Sequence, residues 1–365
     1  MPSLTLPPVP HYQEPPPTQQ ELPYADLAVI DLAKAGTPDG RAQLAAEVKN
    51  ALLTHGFFYV INHGLSQAQN ERMFDISDVP MSLVGDEEKQ AFLNRSHETG
   101  KYQGYKPRQY WHLDAGVRDQ QEHYTFNQQV NSAKHPEAVI PYLPEIQEFI
   151  KYNHFNILHP LLRLIALGLE LPEETLVNLH GFDDSEHNAS FFRFQKYHPL
   201  TEADELKTKN VWLKGHKDHV SVTLLWSQPV AALQILTDDG WRWIRHVENA
   251  LVVNVGDGLE FLTGGFYKGT IHRVVQPPID QRGYTRQSVI YFSYANEDVK
   301  LVPLMGSPVL QKAELEPRCD PAVAPTTKEW RMGRISSFGA AELRQGKEKN
   351  TEEEDVHGIV VKHYN

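Results

Sequence analysis

Between residues 191 and 294 the chain carries seven short apolar runs: FFRFQKY (191–197), VSVTLLW (220–226), ALQIL (232–236), WRWI (241–244), ALVVNV (250–255), HRVV (272–275) and SVIYFSY (288–294). They are rich in Val, Ile, Phe, Tyr and Trp, the residues that fit a pleated, half-buried surface. Gly, Pro, Asp and Asn punctuate the intervals. Strands this short, with turn residues roughly every ten positions, predict a sandwich or jelly roll.

Upstream the pattern changes. Leu44, Val48 and Leu52 recur at helical spacing, so 41–53 should form an amphipathic helix. Phe57–Ile61 (FFYVI) follows as a buried strand, and Leu27–Leu32 (LAVIDL) is strand-like too. Residues 66–93 look helical with Pro80 as an interruption, and 142–169 form the strongest helix, with Pro160 as a kink. Residues 101–135 show no clear period. The proline-rich stretch 1–20 predicts an extended arm. Residues 300–365 return to irregular and helical sequence. The expected organisation is an arm (1–20), a helical and strand region packed on the core (21–188), a jelly-roll core (189–299) and a C-terminal segment (300–365). The fold class is mainly β with flanking helices.

Composition narrows the function. Of 365 residues, 35 are Lys or Arg and 47 are Asp or Glu, a formal net charge of −12. Such a surface repels phosphate backbones and anionic lipids, which argues against nucleic acid and membranes as partners. One cysteine, Cys319, permits neither an internal disulfide nor a thiolate-rich metal site. The N-terminus lacks the pattern of a secretory signal, and no run of apolar residues is long enough to span a bilayer. The expectation is a soluble, cytoplasmic protein. Its 18 histidines justify a search for metal-ligand spacing.

His216-Lys217-Asp218 precedes the run 220–226. In extended chain, residues i and i+2 share a face, so an imidazole and a carboxylate would project together. His272 opens the run HRVV and supplies a second imidazole. Two histidines and one carboxylate leave open positions on a metal, as in non-haem iron(II) oxygenases. A surface turn with two solvated polar residues would also fit His216 and Asp218 alone. His219 should face away.

Arg286 and Ser288 share a face by the same alternation. A guanidinium fork binds a carboxylate bidentately and a hydroxyl adds a bond, which suits the distal carboxylate of 2-oxoglutarate. A surface arginine is the alternative, but Arg286 adjoins an apolar strand, and a buried arginine needs an anion. Arg282, in the turn beside Gly283, reads as a solvated loop residue. Arg193, Gln195 and Tyr197 alternate along 191–197, which marks either a wet pocket or the polar face of an edge strand.

The stretches THGFFYVINHG (54–64), GHKDHVSVTLLW (215–226), ALQILTDDGWRWI (232–244), ALVVNVGDGLEFLTGGFYKGTIHRVV (250–275) and YTRQSVIYFSY (284–294) resemble the plant and fungal 2-oxoglutarate/iron(II) dioxygenases related to isopenicillin N synthase. The likeness covers roughly residues 22–300 in the family's order, and NVGDGLEFLTGGFYKGTIHRVVQPP is most similar to fungal, thymine-hydroxylase-like members. It implies a double-stranded β-helix. It implies that His216, Asp218 and His272 bind Fe(II), and that Arg286 and Ser288 hold the 2-oxoglutarate carboxylate remote from the metal. Tyr197 matches a tyrosine that contacts the co-substrate, although Gln195-Lys196-Tyr197-His198-Pro199 departs from the family's N-x-Y-P, and Ala231-Ala232 stands where many members have two glycines. From the residues alone, the His272 and Arg286 runs would pair as a hairpin; the resemblance puts them in opposite sheets, both facing inward.

The implied activity uses dioxygen and 2-oxoglutarate to oxidise a C–H bond of a small organic substrate by hydroxylation, desaturation or ring formation, in biosynthetic or secondary metabolism. Related halogenases lack the carboxylate that Asp218 supplies. Two alternatives are an oxidase like isopenicillin N synthase, in which Arg286 and Ser288 bind a substrate carboxylate, and a non-catalytic jelly-roll binding protein. The sequence names no substrate. In the tail, WRMGRISSFGAAELRQ (330–345) can form a helix that either packs outside the barrel or covers the mouth of the site. In the second case Phe338 or Leu343 would touch substrate, with Arg193 and Phe126 across the pocket.

Overall fold

The computed structural model describes residues 6–182, 187–337, 344–346 and 351–364. Among these, two sheets face each other. The larger runs in the order Val29–Asp31, Phe57–Ile61, Leu251–Val255, Val222–Trp226, Arg286–Ser293, Phe191–Tyr197, Gln121–Asn127, Gly104–Lys106. The smaller runs Arg344–Gln345, Thr351–Val356, Ile359–Tyr364, Val211–His216, His272–Val275, Leu233–Thr237, Gly240–Trp243. Neighbours pair antiparallel except Val29–Asp31 with Phe57–Ile61. This is the double-stranded β-helix with flanking helices. The His272 and Arg286 strands lie in different sheets, as the resemblance implied and the simple hairpin expectation did not.

Alternation decides what each strand offers. Along Phe191–Tyr197, Phe192 and Phe194 point into the main hydrophobic core, while Arg193, Gln195 and Tyr197 point between the sheets. Val222, Leu224 and Trp226 likewise face the core, and Thr223 and Leu225 face inward. The helices Pro38–Thr54, Gln67–Ser82, Leu143–Tyr152 and His159–Gly168 pack over that outer face through Leu44, Val48, Phe74, Ile146, Ile150 and Leu161. Each such side chain contributes roughly 1.5–3 kcal/mol by leaving water, so this face anchors the larger sheet and leaves its other face to build a site.

Several expectations need correction. The helix from Gln67 runs through Pro80 but ends at Ser82, and a separate short helix, Asp86–Ala91, follows, so the proline lies at the helix's end and not at its middle. The long helix around Pro160 widens into a π turn at Asn153–Leu158, just before the residue that lacks an N–H. Residues 101–135, where the sequence shows no period, hold the strands Gly104–Lys106 and Gln121–Asn127. The tail is not helical to its end. Thr327–Ser337 is a helix, but Thr351–Val356 and Ile359–Tyr364 form a hairpin that extends the smaller sheet at Gly215. His357 (φ 53°) and Gly358 (φ 78°) make its two-residue turn, the left-handed pair that a tight hairpin requires.

The proline-rich arm is unpaired but tied down. Arg72 donates to the Pro7 carbonyl at 2.7 Å, Tyr142 to that of Pro8 at 2.6 Å, and Gln281 to that of Pro16 at 2.8 Å. No described helix is long and apolar enough to cross a membrane.

Candidate active site

His216 ends one strand of the smaller sheet and His272 begins its neighbour, directly opposite in register. Asp218 follows in the turn that leads to Val222–Trp226. The ligand atoms of these three residues all lie within 4.8 Å of one another, and this is the one such cluster among the described residues. Asp218 Oδ1 stands 3.7 Å from His216 Nε2 and 3.6 Å from His272 Nε2.

The surroundings fix which atoms face the centre. His216 Nδ1 pairs with the Lys214 carbonyl at 2.9 Å and His272 Nδ1 with that of Thr270 at 3.1 Å. Each ring thereby keeps its Nε2 lone pair for the centre. Thr223 and Asn254 donate to Asp218 Oδ2 at 2.7 and 2.9 Å, which leaves Oδ1 free. Burial, then the neighbouring His272, depress the His216 pKa to about 3, so its ring is neutral at ordinary pH. Burial alone would raise the Asp218 pKa; the two imidazoles and two donors outweigh it and hold the group at about 2. Two imidazoles and a carboxylate in this cluster form a suitable donor set for ferrous iron.

The loop after Asn254 explains a conspicuous glycine. The Asp257 and Gly258 N–H groups donate to the Asp218 and Val220 carbonyls at 2.7 and 3.0 Å. A Cβ at Gly256 would meet those two carbonyl oxygens at 2.4 and 2.5 Å. Only glycine permits this clasp on the Asp218 turn.

Across the cavity, Arg286 pairs in register with Tyr197, and Ser288 with Gln195. Arg286 Nη1 donates to Ser288 Oγ at 2.7 Å, and Gln195 Nε2 to the Tyr197 hydroxyl at 2.8 Å. Arg286 is 4% exposed, yet its Nε has no hydrogen-bond partner and no described carboxylate forms an ion pair with it. Burial pushes its pKa down. A guanidinium buried in this way calls for an anionic partner.

These groups line one cavity of about 670 Å³. Arg193, placed there by alternation, is on its wall. Phe126 is not. It is fully buried in the main core against Phe192, Phe194 and His135, because its strand turns Gln121 and His123 inward and Tyr124 and Phe126 outward. Phe338 and Leu343 lie outside the described residues. The helix that precedes them does reach the cavity, through Arg334 and Ile335. His219, expected to face away, lines the cavity and sits 3.2 Å from the Tyr102 hydroxyl. Residues 217–221 form a turn, so strand alternation does not govern it. Arg282 is exposed, as expected for a loop residue. Tyr102, His123 and Ile335 escaped sequence reasoning; the alternation Gln121–His123 against Tyr124–Phe126 was the available signal for His123.

The two-sheet fold and this site define the chain as a member of the 2OG-Fe(II) oxygenase superfamily. Residues 188–294 match that family, and residues 27–145 match the family described as non-haem dioxygenase in morphine synthesis N-terminal. Among curated relatives, the chain is 28% identical to gibberellin 20 oxidase 5 of Arabidopsis thaliana over 295 residues, 76% of this chain and 70% of that one. It is equally close, at 28%, to jasmonate-induced oxygenase 4 of the same plant, covering 76% and 75%. A full-length Neurospora crassa protein, solved in complex with alpha-KG and thymine, superimposes with a TM-score of 0.74 at 20% identity, over 87% of this chain and 100% of that one. The family's cofactors are Fe(II) and 2-oxoglutarate.

Proposed function

We propose that His216, Asp218 and His272 hold the iron, that Arg286 and Ser288 anchor the distal carboxylate of 2-oxoglutarate beside Tyr197, and that the enzyme oxidises a C–H bond of a small organic molecule. The observation that carries this reading is Arg286, buried, paired with no carboxylate of the described residues, and facing the same cavity as the triad. Iron and 2-oxoglutarate, when bound, supply the activation of dioxygen.

The chain's own contribution is position and exclusion. The Lys214 and Thr270 carbonyls keep the two imidazoles turned inward. Thr223 and Asn254 keep Asp218 from rotating. Arg286 and Ser288 neutralise and orient the co-substrate's far end. Ile335 and the aromatic wall shield the reacting position from water. The C-terminal segment thus forms part of the pocket, as a covering element would. The likeness to the Neurospora protein and the 254–278 segment support a fungal-type member. The names of the relatives, a gibberellin oxidase and a jasmonate-induced oxygenase, support a small organic substrate of biosynthetic metabolism.

The test is anaerobic loading with Fe(II), then a metabolite screen scored by succinate release. Succinate formed in equal amount with product, and only when 2-oxoglutarate is added, supports the reading. Full turnover by enzyme shown to be free of 2-oxoglutarate would overturn it in favour of an oxidase whose Arg286 binds the prime substrate.

A further inference from the structure

Among the described residues, the charges on the cavity wall balance in pairs, with one left over. Arg95 faces Glu98 at 3.9 Å, Lys106 is bonded to Asp119, and Arg334 meets Glu354 at 3.1 Å. Under the proposed function, a ferrous ion, the Asp218 carboxylate, a dianionic co-substrate and the Arg286 guanidinium sum to zero. Arg193 remains. It stands on the inner face of the larger sheet, beside Ile290 in register, and no described carboxylate pairs with it. Its one hydrogen bond among the described residues is from Nε to Thr125 Oγ1 at 3.1 Å, so both terminal NH₂ groups lack a protein acceptor.

The surroundings of Arg193 are aromatic. Its guanidinium carbon lies 4.9 Å from the ring centre of Phe191, 5.3 Å from Phe292 and 5.5 Å from Tyr102. Phe191 and Phe292 stack at 4.6 Å. The negative faces of such rings attract a cation. They do not replace water: burial still depresses the Arg193 pKa to about 10, with Tyr102 the foremost opposing influence. The side chain keeps some accessible surface, as it must where it fronts the cavity.

We propose that the prime substrate is a monoanion, a carboxylic acid whose carboxylate is held by the terminal NH₂ groups of Arg193 and whose apolar body lies among Tyr102, Phe191 and Phe292. This rests on the assignment of Arg286 to 2-oxoglutarate. The acid brings the cavity to neutrality and gives Arg193 the bidentate partner its planar fork fits. A neutral substrate would leave the charge unmatched. The aromatic trio favours a flat or hydrocarbon body over a hydrated sugar.

The test is calorimetric binding to the full-length protein, loaded anaerobically with Fe(II) and 2-oxoglutarate. The probes are phenylacetate, indole-3-acetate and decanoate, their methyl esters, and thymine as a neutral heterocycle. At least one acid should bind roughly tenfold or more tightly than its ester, the size of one charge-assisted contact. Arg193→Gln should erase that ratio while 2-oxoglutarate still binds, which also shows that the variant is folded. Arg193→Lys should keep part of it. If no acid outbinds its ester, or if the ratio survives in Arg193→Gln, the proposal is overturned; thymine binding above every acid overturns it as well. Failure of the functional reading looks different: 2-oxoglutarate would not bind the Fe(II)-loaded protein, and the acid preference would vanish in Arg286→Gln instead.

Discussion

Replacing Arg286 by Gln should have opposite effects on the protein with and without co-substrate. In the wild type the guanidinium is desolvated, and its protein contacts are Ser288 Oγ at 2.7 Å and the Tyr197 ring at 5.8 Å from Cζ. Without 2-oxoglutarate it is a buried charge lacking an anion, so a neutral amide should leave stability unchanged or raise it. With 2-oxoglutarate the change removes one side of a buried charge pair, about 2–5 kcal/mol. At 1.4 kcal/mol per tenfold, that raises the apparent Kd roughly 30- to 4,000-fold. The thermal readout follows. At a ligand concentration of about 100 Kd the wild type gains about 2.7 kcal/mol. A chain of 365 residues, at about 2.1 cal/mol/K of unfolding entropy per residue, converts this to a rise in Tm of about 3–4 °C. Differential scanning fluorimetry of Fe(II)-loaded protein should show this rise in the wild type and at most about 1 °C in Arg286→Gln at the same concentration. A variant with wild-type Tm shift and wild-type Kd would refute the placement of the co-substrate carboxylate.

Four further outcomes are expected. Asp218→Ala and His272→Ala should each lower Fe(II) affinity at least about 100-fold and abolish succinate release, since either removes a ligand; wild-type iron stoichiometry in purified Asp218→Ala would refute the metal centre. Gly256→Ala should weaken iron binding and lower Tm, because its Cβ meets the Asp218 carbonyl at 2.4 Å; an unchanged iron affinity counts against the clasp. Below pH 6.5 the metal-free protein should lose stability: burial lowers His154 to about 3 and His180 to about 4, so the unfolded chain takes up protons that the folded one does not. Each contributes about 1.4 kcal/mol per pH unit from roughly 6.5 down towards those values, and His154→Gln should flatten the denaturant-midpoint profile between pH 6.5 and 5. Ile335→Ala should release more succinate per product formed, with iron binding intact; unchanged coupling would show that this helix does not shield the reaction.

What was legible in the sequence followed short-range rules. His216 and Asp218 are legible because extended chain puts i and i+2 on one face, His272 because it opens the run HRVV and the resemblance adds it to them, and Arg286 because a buried arginine implies an anion. Arg193, Gln195 and Tyr197 reached the cavity by the same alternation. The losses have a common cause. Gln121–Asn127 (QEHYTFN) turns Gln121 and His123 to the cavity and bonds Glu122 to Tyr105 and His198 on its other face, so its composition resembles a loop and hides that Phe126 faces the core. Thr351–Val356 (TEEEDV) is too acidic to look like a strand. Its charges are matched only in three dimensions, Glu352 by Lys214 and Glu354 by Arg334. His219 obeyed a turn that sequence spacing did not reveal.

The strand Phe57–Ile61 is sandwiched between Val29–Asp31 and Leu251–Val255. One of its partners is therefore made nearly two hundred residues later in synthesis. Sheets joined over such separations close slowly, since loop entropy must be overcome before pairing rewards it. Until then FFYVI presents an open, uncharged edge, the kind that recruits strands from other chains. A nascent or prematurely terminated chain is thus an aggregation hazard in a way the finished enzyme is not. Chaperone demand during expression should fall most when that edge is supplied with its partner, for example by permuting the chain so that 251–255 is made first.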